Sequence, residues 1–208
     1  MAKHEGALGD VYQARSAEEV AKLYDGWASS YDEEMAKAGY RHPSIGLALL
    51  ARHLPKGSGP ILDAGAGTGL MGEWLSIMDY GPIEALDISQ GMLAVARAKN
   101  VYAALHQAAL GGPLNFADGV FAGVISVGVF TTGHVGAEGL DELIRICRKS
   151  GIIVVTVKNT VWENGFALRI AELSRGSLIS VLEETAPYVS MPGEVGTTPS
   201  RALAIKIL

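Results

Sequence analysis

Residues Ile61–Leu70 read ILDAGAGTGL, an apolar run that collapses into three alternating glycines. Glycine at this density directly after a strand lets the backbone turn sharply and approach a ligand closely. The same run begins the pattern that most constrains the fold. Strands at Ile61–Ala64, Ile83–Asp87 and Val101–His106 alternate with helices at Leu70–Met78 and Met92–Lys99. Val120–Val127 is apolar on both faces, as a central parallel strand should be. Leu140, Leu143, Ile144 and Cys147 then mark an amphipathic helix, and Gly151 opens the β-branched strand Ile152–Lys158. A helix around Phe166–Leu173, a strand around Leu178–Glu184 and a last strand Ala202–Ile207 follow, the last after an excursion through Pro187, Pro192 and Pro199. Elements of this length and order predict an α/β fold, a doubly wound parallel sheet with helices on both faces.

Upstream, Ser16 to Ala38 reads as one helix. Ser16 and Glu19 match a capping box, and Val20, Leu23, Tyr24, Trp27 and Tyr31 recur as an apolar, aromatic stripe. Gly39 is the expected stop, and Pro43 suits the first turn of a second helix that runs to His53. The stretch Pro55–Pro60 reads as a loop. The 208 residues fit a single domain, 49% hydrophobic and 19% charged. Net charge is −5 without a Lys/Arg block, which argues against a nucleic-acid partner. With one cysteine no internal disulfide can form. A polar N-terminus and the lack of a bilayer-length apolar run lead to the expectation of a cytoplasmic protein without a membrane partner.

Three nucleotide chemistries use glycine-rich turns. A phosphate loop of the Walker type needs a lysine after the glycines, and none follows here. The dinucleotide fingerprint needs a third glycine where this chain has Leu70; the spacing is instead G-x-G-x-G through Gly65, Gly67 and Gly69. Asp63, two residues before the first glycine, would repel a pyrophosphate. It suits S-adenosylmethionine (SAM), which has no phosphate and carries an ammonium and a sulfonium. There the carboxylate can hold the ammonium or orient the turn. Asp87, roughly 20 residues on at the end of the next strand, is placed to accept hydrogen bonds from ribose hydroxyls, and Ile88 and Met92 could sandwich an adenine.

These motifs resemble the class I SAM-dependent methyltransferases, and within them the relatives of the Williams–Beuren syndrome region methyltransferase. The likeness is carried by LYDGWASSYD (Leu23–Asp32), ILDAGAGTGL, ALDISQGMLAVAR (Ala85–Arg97) and ELIRICRKSGIIVVTVK (Glu142–Lys158). It implies a Rossmann-like, seven-stranded, mostly parallel sheet with an antiparallel last strand, and a cleft at the carboxyl ends of the strands. It also implies that residues 1–55 form a helical cap over the cofactor, with Tyr24 and Tyr31, and more weakly Trp27, reaching the methionine part. Ala66 and Leu70 in the turn and Val127 at the fourth strand complete the implied cofactor set. Where many relatives carry an acidic residue for the adenine amino group, this chain has HQAALGG (His106–Gly112), which leaves backbone groups of Ala109 and Leu110 for that task.

Methyl transfer from a sulfonium needs an aligned acceptor, and a base where the acceptor carries a proton. His134, just past the fourth strand, is the candidate base. Phe130, Thr131, Lys158, Asn159 and Trp162 are candidate pocket walls. No [DNS]-P-P-[YFW] motif points to nucleic-acid amino groups, Cys147 sits on the apolar face of a helix, and no metal-ligand spacing occurs. The expected reaction is transfer of a methyl group to a small molecule, leaving S-adenosylhomocysteine. The alternative is a noncatalytic SAM-binding module acting through a partner protein.

Overall fold

A computed structural model describes residues 6–14, 16–194 and 197–208. The first five residues, part of the polar N-terminus weighed above, lie outside them. Four helices come first: α1 (Ala7–Val11), α2 (Ala17–Trp27), α3 (Tyr31–Ala38) and α4 (His42–His53). Strand and helix then alternate through β1 (Ile61–Ala64), α5 (Leu70–Ile77), β2 (Ile83–Asp87), α6 (Gln90–Ala98), β3 (Ala104–Gln107), β4 (Phe121–Phe130), α7 (Gly139–Ile146) and β5 (Cys147–Lys158). The chain continues with α8 (Asn159–Val161), a π-helical turn (Trp162–Phe166), α9 (Ala167–Arg175), β6 (Ile179–Glu184) and β7 (Ser200–Ile207).

The seven strands form one sheet in the order β3-β2-β1-β4-β5-β7-β6. β1 pairs in parallel with β2 and β4, and β5 runs parallel to β4. β7 is antiparallel to both β5 and β6, as expected of the last strand. Alternate residues of the central strands feed two cores. Val124, Ile153 and Val155 pack with Leu140, Leu143, Ile146 and Phe166 on one face. Ile125, Ile152 and Val154 pack with Leu49, Leu50 and Leu75 on the other. Helices cover both faces, so the central strands are apolar throughout.

Two local expectations are corrected. The helix expected over Ser16–Ala38 breaks between Trp27 and Tyr31. Ser16 caps it as read, accepting from the Glu19 N–H at 3.1 Å, and Gly39 ends the second part at φ 67°. At the break, the Ser30 hydroxyl reaches the Trp27 carbonyl at 3.5 Å and the Glu34 carboxylate at 2.7 Å. Serine side chains compete with the helical backbone in this way. Cys147 is not on a helix face; it opens β5, pairing with Phe121, and is buried. Burial pushes its thiol up to about 12, so it remains an unreactive thiol.

Candidate functional site

A cavity of about 610 Å³ opens at the carboxyl ends of β1, β2 and β4. This is the edge where open α/β sheets place their ligands. The glycine turn, the end of β2 and the segment after β3 wall one side, through Gly65, Gly67, Asp87, Ile88, Met92, Ala109 and Leu110. The segment after β4 and the π-helical turn wall the other, through Thr131, Thr132, His134 and Asn164. Tyr24 of α2, with Tyr31 and Tyr40, closes the space between them.

Gly65 takes φ 82°, and a Cβ on it would lie 2.1 Å from Cγ2 of Val129, so only glycine fits this first position. Gly67 is bare toward the cavity: a Cβ there would meet no protein atom within 4 Å. Its N–H donates to Oδ2 of Asp87 at 2.8 Å, and the Ser89 N–H donates to Oδ1 at 2.8 Å. A carboxylate offers about four lone pairs, so acceptor capacity remains beyond these bonds. Burial pushes the Asp87 carboxyl above its ordinary range, the backbone N–H groups of Ser89, Gly67 and Ile88 oppose the shift, and the Asp25 charge adds to it.

Asp63 lies beneath the turn rather than in the cavity lining. Its Oδ2 accepts from the Tyr102 hydroxyl at 2.6 Å, while its buried Oδ1 has no hydrogen-bond partner. Burial pushes this carboxyl up to about 7, against the Tyr102 hydrogen bond. Tyr102 also packs against Gly69 and Gly72, so Asp63 and Tyr102 brace the turn from behind.

Helices α2 and α3 are pinned over the cavity by two aspartates that the sequence reading did not single out. Oδ1 of Asp25 accepts from the Ser89 hydroxyl at 2.6 Å and the Gly91 N–H at 2.7 Å, at the start of α6. Asp32 accepts from the Thr68 hydroxyl and from Lys99 at 2.8 Å.

Among the described residues, His134 brings an imidazole to the far wall. Its Nδ1 lies 3.3 Å from the Thr132 carbonyl and 2.9 Å from the Thr131 hydroxyl. A carbonyl only accepts, which places the proton on Nδ1 and leaves Nε2 to accept from the Tyr24 hydroxyl at 3.1 Å. Burial pushes the imidazole below its ordinary value, and the Lys158 charge adds to the shift against the Thr132 carbonyl. The ring is therefore neutral at pH 7.

Eleven of the residues singled out from the sequence share the cavity lining: Tyr24, Tyr31, Gly65, Gly67, Asp87, Ile88, Met92, Ala109, Leu110, Val127 and His134. Ala66, Gly69 and Leu70 belong to the turn without facing the cavity, and Trp27 faces a smaller space behind it. Among the expected walls, Thr131 lines the cavity and Lys158 the smaller space. Phe130 instead fills the core against Phe166, Asn159 contacts Arg201, and the Trp162 ring lies under the Arg201 guanidinium. Tyr40 was missed because it sits in a connection with no periodicity. Asn164 was missed because its place depends on the kink at Gly165 (φ 103°) in the π-helical turn, a feature frequent at functional sites.

Among the described residues no helix is long and apolar enough to cross a membrane. The family model of the methyltransferase domain matches residues 62–155, the stretch that carries the glycine turn, Asp87 and the segment after β4. The human methyltransferase-like protein 27 is 32% identical over 169 residues, which cover 76% of this chain and 69% of that protein. The dTDP-3-amino-3,6-dideoxy-alpha-D-glucopyranose N,N-dimethyltransferase of Streptomyces fradiae is 30% identical over 152 residues, covering 69% of this chain and 54% of that one. In fold, the chain is similar to a SAM-dependent methyltransferase of Thermotoga maritima, with a TM-score of 0.63 at 16% identity over 90% of this chain and 98% of the other. A G-x-G-x-G turn bare toward the cavity, a cavity-lining carboxylate one strand away and these likenesses lead to one family. The chain belongs to the class I SAM-dependent methyltransferases, enzymes whose cofactor is S-adenosylmethionine.

Proposed function

We propose that this enzyme methylates a small-molecule acceptor inside the 610 Å³ cavity. The carrying observation is that one chamber has the glycine turn and Asp87 on one wall and the neutral His134 on the other. Such a volume is that of a small-molecule site. Helices α2 and α3 act as a cap, clasped down through Asp25 and Asp32.

In this reading Asp87 takes the ribose hydroxyls, Ile88 and Met92 flank the adenine, and backbone groups at Ala109 and Leu110 meet its edge. The bare backbone from Gly65 to Gly67 and the side chains of Tyr24, Tyr31 and Val127 surround the methionine part. Asp63 orients the turn through Tyr102 and does not touch the ligand. When bound, the cofactor supplies a methyl group on a sulfonium; an acceptor lone pair forms the new bond to carbon as the C–S electron pair returns to sulfur. The Tyr24 hydroxyl takes the acceptor's proton where one must leave as it passes its own to His134 Nε2, and Thr131 and Thr132 hold the ring for it. A positioned base of this kind is what a noncatalytic SAM-binding module would not need, and it favours turnover.

Incubation with methyl-labelled SAM and a cell metabolite extract, followed by identification of the labelled product, tests the reading. A labelled metabolite is expected. Binding of S-adenosylhomocysteine with no labelled metabolite would leave the noncatalytic alternative in its place.

A further inference from the structure

The main cavity has a small neighbour. This recess of about 30 Å³ lies behind Tyr24, Tyr31, Tyr40, Gly128 and Thr131, which line both spaces. Its own walls include Lys158, Trp27 and Ser190, exposed by only 5%, 4% and 0%.

Lys158 Nζ donates to the Tyr12 hydroxyl at 2.8 Å and lies 4.0 Å from the centre of the Tyr12 ring. An ammonium has three N–H groups and accepts nothing, so further donors remain. The Trp27 Nε1–H, which can only donate, and the Ser190 Oγ have no hydrogen-bond partner. Among the described residues lining the recess there is no Asp or Glu. A buried cation and two residues that carry unpaired buried groups thus line a space that offers no anion. Leaving buried polar groups unpaired is unfavourable, and leaving a buried charge so is more unfavourable still.

An ordered water would satisfy the neutral groups but would leave the lysine charge uncompensated. A negative group would satisfy both. A volume of this size has room for a water or for a small charged group such as a carboxylate.

We propose that the recess binds the carboxylate of the methyl acceptor through Lys158, Trp27 and Ser190, so that the substrate is an organic acid. This rests on the small-molecule reading above and names its substrate class. The Thr131 hydroxyl, which borders the recess, lies 2.9 Å from His134 Nδ1. An acid anchored there brings an atom a few bonds from its carboxylate up to His134, and the carboxylate itself is not methylated.

The test compares wild type with Lys158→Met. Each is given methyl-labelled SAM and a metabolite extract separated on an anion exchanger into acidic and neutral fractions. Affinity for S-adenosylhomocysteine is measured in parallel by calorimetry. The expected result is a labelled product from the acidic fraction that is still retained on the exchanger. Lys158→Met should form it at least tenfold more slowly, with S-adenosylhomocysteine affinity within twofold of wild type. Replacing a buried unpaired charge by an apolar side chain of similar length should leave the variant's melting temperature at or above that of wild type. Trp27→Phe and Ser190→Ala, each removing one group, should slow the same reaction severalfold and serve as second variants. Labelled products that are neutral, or full activity of Lys158→Met on the acidic fraction, overturn the proposal. So does a parallel loss of S-adenosylhomocysteine affinity, which would assign Lys158 to the amino-acid end of the cofactor. Wild type that labels nothing in either fraction is a separate result, the failure of the small-molecule reading itself.

Discussion

The Tyr24 hydroxyl lies 3.1 Å from Nε2 of His134, joining residues 110 positions apart across the cavity. With Nδ1 held by Thr131 and Thr132, this contact fixes both the plane and the tautomer of the ring. His134→Asn should lower kcat by about 10²–10⁴, the usual contribution of a positioned base, for an acceptor that must lose a proton. Calorimetry should find its S-adenosylhomocysteine affinity unchanged. Because burial holds the imidazole below its ordinary value, the acid limb of wild-type kcat/KM should lie at lower pH than a solvent-exposed imidazole would give. An unchanged kcat in the folded variant would remove His134 from the chemistry.

Asp87 accepts backbone N–H groups with both oxygens, and in the proposed function its remaining acceptor capacity serves the ligand. Asp87→Ala should weaken SAM binding by about 1–3 kcal/mol, the loss of charge-assisted hydrogen bonds. Titration calorimetry checks this, and circular dichroism confirms that the glycine turn still folds. Unaltered affinity would take Asp87 out of the site.

Asp25 holds the cap to the start of α6 as a helix-capping side chain would, although it comes from another helix. Asp25→Ala should cost about 0.5–2 kcal/mol of that closure. Hydrogen exchange of residues 17–27 should speed up accordingly, and cofactor affinity should fall by the same amount. Exchange that remains at the wild-type rate would show that the clasp does not hold the cap.

Asp63 makes the stability of the ligand-free protein depend on pH. Its carboxyl moves from 3.8 to about 7 on folding. Between those values the folded state binds a proton that the unfolded chain releases. The stabilisation is therefore complete below about pH 4 and is lost as pH rises through about 7. Asp63→Asn cannot titrate, so the drop in melting temperature between pH 5 and pH 8 should be smaller in this variant. Equal drops would place the titration elsewhere.

The glycine-turn wall of the cavity was legible because it is local. Gly65, Gly67 and Asp87 sit on two consecutive strand–turn units, and chain order alone brings them to one edge of the sheet. The aromatic stripe of Tyr24, Trp27 and Tyr31 was also legible as a face. The break at Ala28–Ser30 then splits it, leaving Tyr24 and Trp27 on α2 and Tyr31 at the start of α3; Tyr24 and Tyr31 line both spaces and Trp27 the recess alone. Asp63 was visible as a residue, whereas its direction depended on Tyr102 packing behind the turn. Phe130 and Trp162 follow strand ends as a pocket wall would, yet their bulk is taken up by Phe166 and Arg201.

The sequence by itself determined the sheet, its doubly wound order and the methyl donor, because periodicity and glycine spacing act over a few residues and leave little choice. The far wall of the cavity and the recess behind it were decided only by the tertiary structure. His134 gains its tautomer from Tyr24 in α2, and Lys158 at the end of β5 meets Tyr12 from the N-terminal segment. Trp27 and Ser190 arrive at the same recess from opposite ends of the chain. Contacts between residues more than a hundred positions apart leave no periodic trace, since each is fixed by packing of whole elements rather than by the residues beside it.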